Sequence, residues 1–329
     1  DLTLLLLFAS VCLSILVCGA YLQIARAQNI FDIPNERSSH SLATPRGGGI
    51  GLMLSFSLGL LLAGYFYGSW SPAYVTLVLA ALSMSVIGFM DDVTGLPMRL
   101  RFVAYSVTCA LVTFVLLPFS SGFVLGTLGA VLAALTLFWA LNLFNFMDGI
   151  DGIAAVQTIM VCTMAAVLAS RAVDSAGYVL FCLLLAGCHA GFLVWNFPPA
   201  RLFLGDSGSV PTGFLLGGLA IIASVEDVIH PASWLILMAV FITDATWTLV
   251  WRIVTGQPFT EAHRLHGYQR LSRRWHSHLR VDMLLVAVNA FWLFPIAYAV
   301  QCWPHTTLFM VILAYLPLLL GMVKVGKLA

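Results

Sequence analysis

The sequence predicts an all-α, polytopic integral membrane protein with about eleven transmembrane helices, and three observations carry that prediction. Hydrophobic residues make up 61% of the chain and charged ones only 9%, with a mean hydropathy of +0.99. A soluble domain carries roughly a quarter charged residues, so this chain cannot wrap itself in a polar surface. Apolar runs of roughly 17–25 residues, long enough to cross the hydrocarbon core as helices, tile nearly all of its 329 residues. The runs are unbroken rather than alternating, which excludes a β-barrel, the other backbone that satisfies its own hydrogen bonds in lipid. There is room for one membrane domain, 1–329, and no separate soluble one.

The spans are expected at 2–25, 48–68, 72–90, 102–118, 122–141, 153–170, 176–195, 209–224, 232–252, 282–300 and 306–323. The first lacks a basic leader and is too long for a cleaved signal, so it reads as a retained span. The cysteines form no CxxC pair, and Cys12, Cys18, Cys109, Cys162, Cys182 and Cys188 lie within apolar runs. They read as small buried apolar residues, without a disulfide framework or a zinc site. With the N-terminus outside, every Lys and Arg except Arg171 falls on the inner side, a strong positive-inside signal. The outer connections are short with few charges, whereas the inner ones are dense in Gly, Asn, Asp, His and Arg. Chemistry is therefore expected at the cytoplasmic face.

Five inner segments carry it. In Thr44-Pro45-Arg46-Gly47-Gly48-Gly49, glycine amides beside Arg46 suit an anion, or a basic loop meeting lipid headgroups. Asp91 and Asp92 end a span, where adjacent carboxylates call for a cation, either a metal or nearby arginines such as Arg99 and Arg101. In Asn142-Leu143-Phe144-Asn145-Phe146-Met147-Asp148-Gly149-Ile150-Asp151-Gly152, helical spacing stacks Asn142, Asn145, Asp148 and nearly Asp151 on one face. Such hard oxygen ligands suit Mg²⁺, and the spacing and terminal glutamate of an EF-hand are absent. Phe203-Leu204-Gly205-Asp206-Ser207-Gly208-Ser209 opens a span, with amides at a helix N-terminus that suit a phosphate. The largest inner loop holds His263, Arg264, His266 and Arg270, then Arg273 and Arg274, a basic patch fit to grasp a diphosphate. Asp244, inside the ninth span, is either a site residue or a structural partner for Arg252 or a neighbouring helix.

These clusters together describe a site for a metal-bound diphosphate, where catalysis is positioning and charge neutralisation. A transporter would place its ionisable groups near the midplane between repeats. No repeat is visible, and the ionisable residues gather at the cytoplasmic ends.

The stretches Thr44–Gly49, Asp91–Asp92, Asn142–Gly152, Phe203–Ser209 and His263–Arg270, in this order, resemble the polyprenyl-phosphate N-acetylhexosamine-1-phosphate transferases, glycosyltransferase family 4. The resemblance implies a UDP-N-acetylhexosamine donor, an undecaprenyl or other polyprenyl phosphate acceptor, UMP as product, and Mg²⁺, with Mn²⁺ as a substitute. It implies Asp206 as principal metal ligand and Asn145 as a second. It also implies one of Asp91 and Asp92 as the base for the lipid phosphate. Arg101 would meet the diphosphate, and Asp148 and Asp151 would be nucleotide-side carboxylates. Phe203 would stack on uracil, and His263, Arg264 and His266 would grip the donor. The loop His-Arg-Leu-His-Gly-Tyr-Gln-Arg lacks a run of adjacent histidines and looks like the branch that initiates O-antigen or other surface polysaccharide of lipopolysaccharide type. N-Acetylglucosamine or a 6-deoxy relative is then expected rather than a muramoyl-pentapeptide. The implied location is the bacterial inner membrane, with a periplasmic N-terminus and a cytoplasmic C-terminus. A homodimer is compatible with this reading and a nucleic-acid partner is not. A one-step displacement and a phospho-aspartate route through Asp91 or Asp92 both remain open.

Overall fold

The computed structural model describes residues 2–34, 42–117, 123–257 and 264–326. Helix α1 (Leu2–Ala27) leads into two short antiparallel strands, β1 (Phe31–Asp32) and β2 (Thr44–Pro45). Then follow α2 (Gly49–Tyr67), α3 (Pro72–Thr94), α4 (Met98–Leu116), α5 (Phe123–Met147), α6 (Ile153–Ala169), α7 (Ala176–Asn196) and α8 (Asp206–Val225). Next come α9 (Pro231–Leu237), α10 (Ala239–Val254), α11 (Gly267–Trp275) and α12 (His278–Val288). A π-turn at Asn289–Leu293 carries α12 into α13 (Phe294–Cys302), and α14 (Thr307–Gly326) ends the described chain.

This is an all-α multi-pass membrane protein. Nine helical spans among the described residues are long and apolar enough to cross a bilayer, with α12 to α13 counted as one. The pair α9 and α10 is bent by 72° and makes a broken tenth, while α6 is a shorter apolar helix. Large apolar side chains such as Leu5, Phe8, Leu61, Leu111, Leu308 and Phe309 point outward, which only lipid tolerates over so wide an area. Pro72 opens α3, where its missing N–H costs nothing, and Gly95 in the left-handed conformation closes it.

Helix α8 is the axis of the bundle, packed against α2, α3 and α5. Small residues make this approach feasible, as is common where helices pack in lipid. Along α3 the strip Leu77, Ser85, Gly88 and Asp92 lies against α8. Leu77 sits where a side chain at Gly218 would be, and a Cβ on Gly88 would come within 2.4 Å of the Asp206 carbonyl oxygen. At the far end of the bundle, Tyr74 Oη donates to Glu226 Oε2 at 3.1 Å, and Thr3 Oγ1 meets Tyr67 Oη at 2.9 Å.

Pro211 lies inside α8 and has no N–H to give the carbonyl of Ser207, four residues earlier. Ser85 of α3 supplies the missing donor, its Oγ lying 2.6 Å from Ser207 O in a fully buried contact. Ser85→Ala is expected to lower stability by about 1–2 kcal/mol, the cost of an unsatisfied buried carbonyl. In a Pro211→Ala background the helix regains its own N–H, so the same substitution should cost markedly less. A double-mutant cycle on the unfolding midpoint in detergent measures this, and additivity of the two changes would refute the pairing.

Candidate active site

The site is built where the ends of α3, α5 and α8 meet. The carboxylate of Asp92 caps α8: Oδ1 accepts from Asp206 N at 3.1 Å and Oδ2 from Ser207 N at 3.2 Å. Gly205 has φ 72, and a Cβ there would lie 2.4 Å from Asp92 Oδ2, so only glycine admits this cap. Arg46 Nη2 donates to the backbone oxygen of Asp92, and Arg46 O in turn accepts from Tyr21 Oη at 2.8 Å. Two of the three glycine amides beside Arg46 are not open to an anion. Gly48 N donates to Phe203 O and Gly49 N to Leu204 O, both at 2.9 Å, and splice the two segments together.

With Asp92 turned into the helix end, Asp91 faces the site. Arg101 Nη1 bridges it to α8, 2.5 Å from Asp91 Oδ2 and 2.6 Å from Asp206 Oδ2. From α5, Asn145 Oδ1 accepts from Ser209 Oγ at 2.6 Å. The expected row of oxygen ligands ends there. Asn142 turns its amide back to Phe138 O at 2.7 Å, and α5 stops at Met147. Asp148 is half-buried beyond the helix end. Burial, then the charges of Asp206, Asp92 and Asp151, push its carboxyl well above the usual carboxylate range.

Asp151 departs further. Its Oδ2 accepts from Ala200 N at 3.0 Å and lies 3.1 Å from His278 Nδ1, tying the α5–α6 turn to the start of α12. Asp244 caps α11 and so settles its own role as an anchor. Its Oδ1 accepts from Gly267 N at 2.9 Å and meets His266 Nδ1 at 3.1 Å, and its Oδ2 accepts from Tyr268 N at 2.9 Å. Thus held, His266 lies nearly parallel to Phe146, with ring centroids 6.3 Å apart. Arg270 turns the other way: Nε donates to Leu265 O and Nη1 to Gly326 O, at 3.0 and 3.1 Å. His263 lies outside the described residues.

Two cavities of unlike character flank this centre. One, of about 730 Å³, is lined by Thr44, Asp151, Phe203, Arg264, Arg273 and His278 among others. Arg273 feels its own partial burial and the neighbouring charges of Arg264 and Arg270, which together pull its pKa down; an anion would relieve that repulsion. The other, of about 510 Å³, has Arg101, Asn145, Asp206, His266 and Gln269 among apolar walls that include Phe102, Phe138 and Trp139. Sequence reasoning missed His278 and gave no separate role to Ser209 or Gln269 within the stretches 203–209 and 263–270. His278 was visible only as one more basic residue after the loop, and the others as ordinary helix residues.

The donor set suits a hard cation. Asp206 and Asn145 present oxygen, and the neighbouring carboxylates of Asp91 and Asp206 call for positive charge, of which Arg101 supplies one unit. No group of three or more His, Cys, Asp and Glu converges among the described residues. Such a sparse set fits an ion that completes its shell with water and substrate phosphate.

A family model described as glycosyl transferase family 4 matches residues 74–224. A decaprenyl-phosphate N-acetylglucosaminephosphotransferase of Mycolicibacterium smegmatis is 31% identical over 294 residues, covering 77% of this chain and 71% of that protein. A probable undecaprenyl-phosphate N-acetylglucosaminyl 1-phosphate transferase of Bacillus subtilis is 28% identical over 276 residues, 79% of this chain and 74% of its own length. A phospho-N-acetylmuramoyl-pentapeptide-transferase of Shouchella clausii is 31% identical over 205 residues, 56% of this chain and 62% of its own.

Two outcomes follow from the geometry. A carboxyl whose pKa is raised on folding favours the folded state while protonated, and that contribution is lost as pH rises through its folded value. Asp148→Asn should therefore raise the unfolding midpoint at pH 8 in chelator and do so less at pH 5, measured by thermal unfolding in detergent. Asp244→Ala removes the acceptor of several buried hydrogen bonds and should cost on the order of 3 kcal/mol. The same variant should make the 264–270 segment sensitive to limited proteolysis.

Proposed function

Because the chain belongs to glycosyl transferase family 4, we propose that it transfers an N-acetylhexosamine 1-phosphate from a UDP-activated donor to undecaprenyl phosphate or a related polyprenyl phosphate. The products are a polyprenyl-diphospho-sugar and UMP. The observation that carries this reading is the Asp91–Arg101–Asp206 bridge, set in a groove with apolar walls and close to a basic cavity. A water-soluble diphosphate suits the cavity with Arg264, Arg273 and Phe203, and a phosphate on an apolar chain suits the groove. The relatives named for N-acetylglucosamine match a larger share of this chain than the muramoyl-pentapeptide one. That supports N-acetylglucosamine over a muramoyl-pentapeptide as the sugar, whereas a 6-deoxy relative and the initiation of O-antigen or a related surface polysaccharide rest on the 263–270 sequence, which has no adjacent histidines. We place the site end of the bundle in the cytoplasm of the bacterial inner membrane, in line with the basic residues gathered there.

In this mechanism the donor diphosphate lies among Arg264, Arg273 and His266, with uracil on the ring of Phe203. Arg101 offsets the charge of Asp91 and Asp206 and orients the acceptor phosphate. Asp91, whose Oδ2 meets Arg101 while Oδ1 accepts from Leu96 N at 2.7 Å, is the carboxylate placed to take a proton from that phosphate, whose oxygen then displaces UMP in line. Asp206 and Asn145 would hold Mg²⁺, which supplies charge neutralisation at the donor diphosphate when bound.

Purified protein with undecaprenyl phosphate, Mg²⁺ and a panel of UDP-N-acetylhexosamines should release UMP only when lipid and metal are both present. Asp206→Asn should lower kcat roughly 100-fold or more, the scale of losing one transition-state charge contact, with the fold intact. UMP released stoichiometrically from donor alone would replace the one-step route with a phospho-aspartate. No UMP from any donor, in folded protein, would refute the reading.

A further inference from the structure

The groove beside α4 holds polar groups that the bundle itself does not satisfy. Tyr105 lies one helical turn beyond Arg101 on α4, 5% exposed, and its hydroxyl is buried without a hydrogen-bond partner. Arg101 Nε is likewise buried without a partner, although Nη1 of the same side chain holds Asp91 and Asp206. Gln269 Oε1, from α11 on the opposite wall, is a third such atom. All three residues line the same groove of about 510 Å³. A buried polar atom left unsatisfied is costly, and it is rare for several to share one lining. Two of the three are donors, and they stand on the same face of one helix. Apart from Asn142, Asn145, Asp206 and His266, the rest of the lining is apolar, with Phe102, Phe138, Trp139 and Leu249 prominent.

We infer that Tyr105 and Arg101 Nε form the binding site for the phosphate of the acceptor, a phosphate monoester carried on an apolar chain. The inference rests on the transferase reading and adds a residue and an atom to it. The Tyr105 hydroxyl donates to one phosphate oxygen and Arg101 Nε to another, while Nη1 of the same guanidinium stays on Asp91 and Asp206. Arg101 thereby ties the acceptor to the carboxylate cluster through one planar group. The apolar walls take the first isoprene units of the chain. No other side chain on α4 offers a hydroxyl to this groove, since Ser106, Thr108 and Thr113 are absent from its lining. Gln269 Oε1 can accept only from a donor, so it takes a protonated phosphate oxygen or water rather than the bare dianion.

Tyr105→Phe tests this with little damage to the fold. It removes an oxygen that has no partner, so the unfolding midpoint in detergent should stay level or rise. The KM for undecaprenyl phosphate should increase roughly ten-fold or more, the scale of one hydrogen bond to a charged oxygen. The KM for the UDP-sugar should stay within about two-fold of wild type. A second readout needs no turnover: undecaprenyl phosphate alone should raise the unfolding midpoint of wild type, and raise that of Tyr105→Phe less at equal concentration. Inorganic phosphate and phosphatidic acid at the same concentrations serve as competitors. A shift from inorganic phosphate equal to that from the lipid would overturn the groove as a lipid-phosphate site, and displacement by phosphatidic acid would assign it to membrane phospholipid. An unchanged acceptor KM in Tyr105→Phe, beside an active wild type, would sink the inference and leave the transferase reading standing. A wild type that binds lipid and releases no UMP would sink that reading instead and leave the phosphate site intact.

Discussion

The structure turns on one buried carboxylate. Asp92 gives both of its oxygens to the first amides of α8, and a negative charge at a helix N-terminus is favoured by the dipole and by the unpaired N–H groups there. Taking a carboxylate out of water is expensive, so this cap persists only because α3 and α8 press together around it. Gly88 and Gly205 are positions in this junction where any side chain would intrude. Arg46 closes the arrangement from the other side by holding the Asp92 backbone oxygen. The consequence lies one residue away. With Asp92 committed to the start of α8, Asp91 turns one oxygen to Leu96 N and the other to Arg101, and the two adjacent aspartates serve different elements.

The same junction explains the composition of α8. A helix that carries a site carboxylate on its first residue must be held against movement along its axis. Ser85 does this through a carbonyl that Pro211 has left without its helical partner. Farther along, Gly213 and Gly217 face α5 at Phe144 and Ala140, while Gly218 receives Leu77 of α3. Backbones thus approach closely on two sides, which in lipid is a principal source of helix adhesion. Ser209 extends the hold to α5 through Asn145, so the helix that bears Asp206 is fixed by both of its larger neighbours.

Much of this was legible in the sequence, because membrane helices announce themselves by length and because charge is too costly to scatter in lipid. The spans and the inner end at which most acids and arginines collect follow from those two facts, whereas Asp206 and Asn145 stand out only through the family resemblance and Asp91 is not separable from Asp92 in sequence. Contacts between distant segments did not. That Gly47-Gly48-Gly49 spends two amides on Phe203 and Leu204 depends on which loops meet, and local composition is blind to that. Spacing alone carries the helical row from Asn142 to Asp151 past Met147, because it does not show where a helix ends. Asp151 therefore answers to His278 and Ala200 instead of its presumed neighbours. Asp244 was visible as an anomaly, but its meaning required seeing α11 begin at its oxygens. Tyr105 gave no signal at all, since one more aromatic in an apolar run is what a span is made of.

Charge counting links the two cavities. Asp91 and Asp206 bring two negative charges to Arg101's one, and Asp92 is compensated by the helix it caps. A phosphate approaching such a centre meets a residual negative charge a few ångströms away. At an effective dielectric near 20, that repulsion is about 4 kcal/mol per pair of unit charges at 4 Å. Arg101 alone cannot remove it, because the same guanidinium already serves both carboxylates. The basic cavity offers Arg264 and Arg273, but it lines a different wall from the groove. Positive charge added by a counter-cation at Asp206 and Asn145 would therefore tighten the hold on the acceptor phosphate beyond what Arg101 and Tyr105 provide alone.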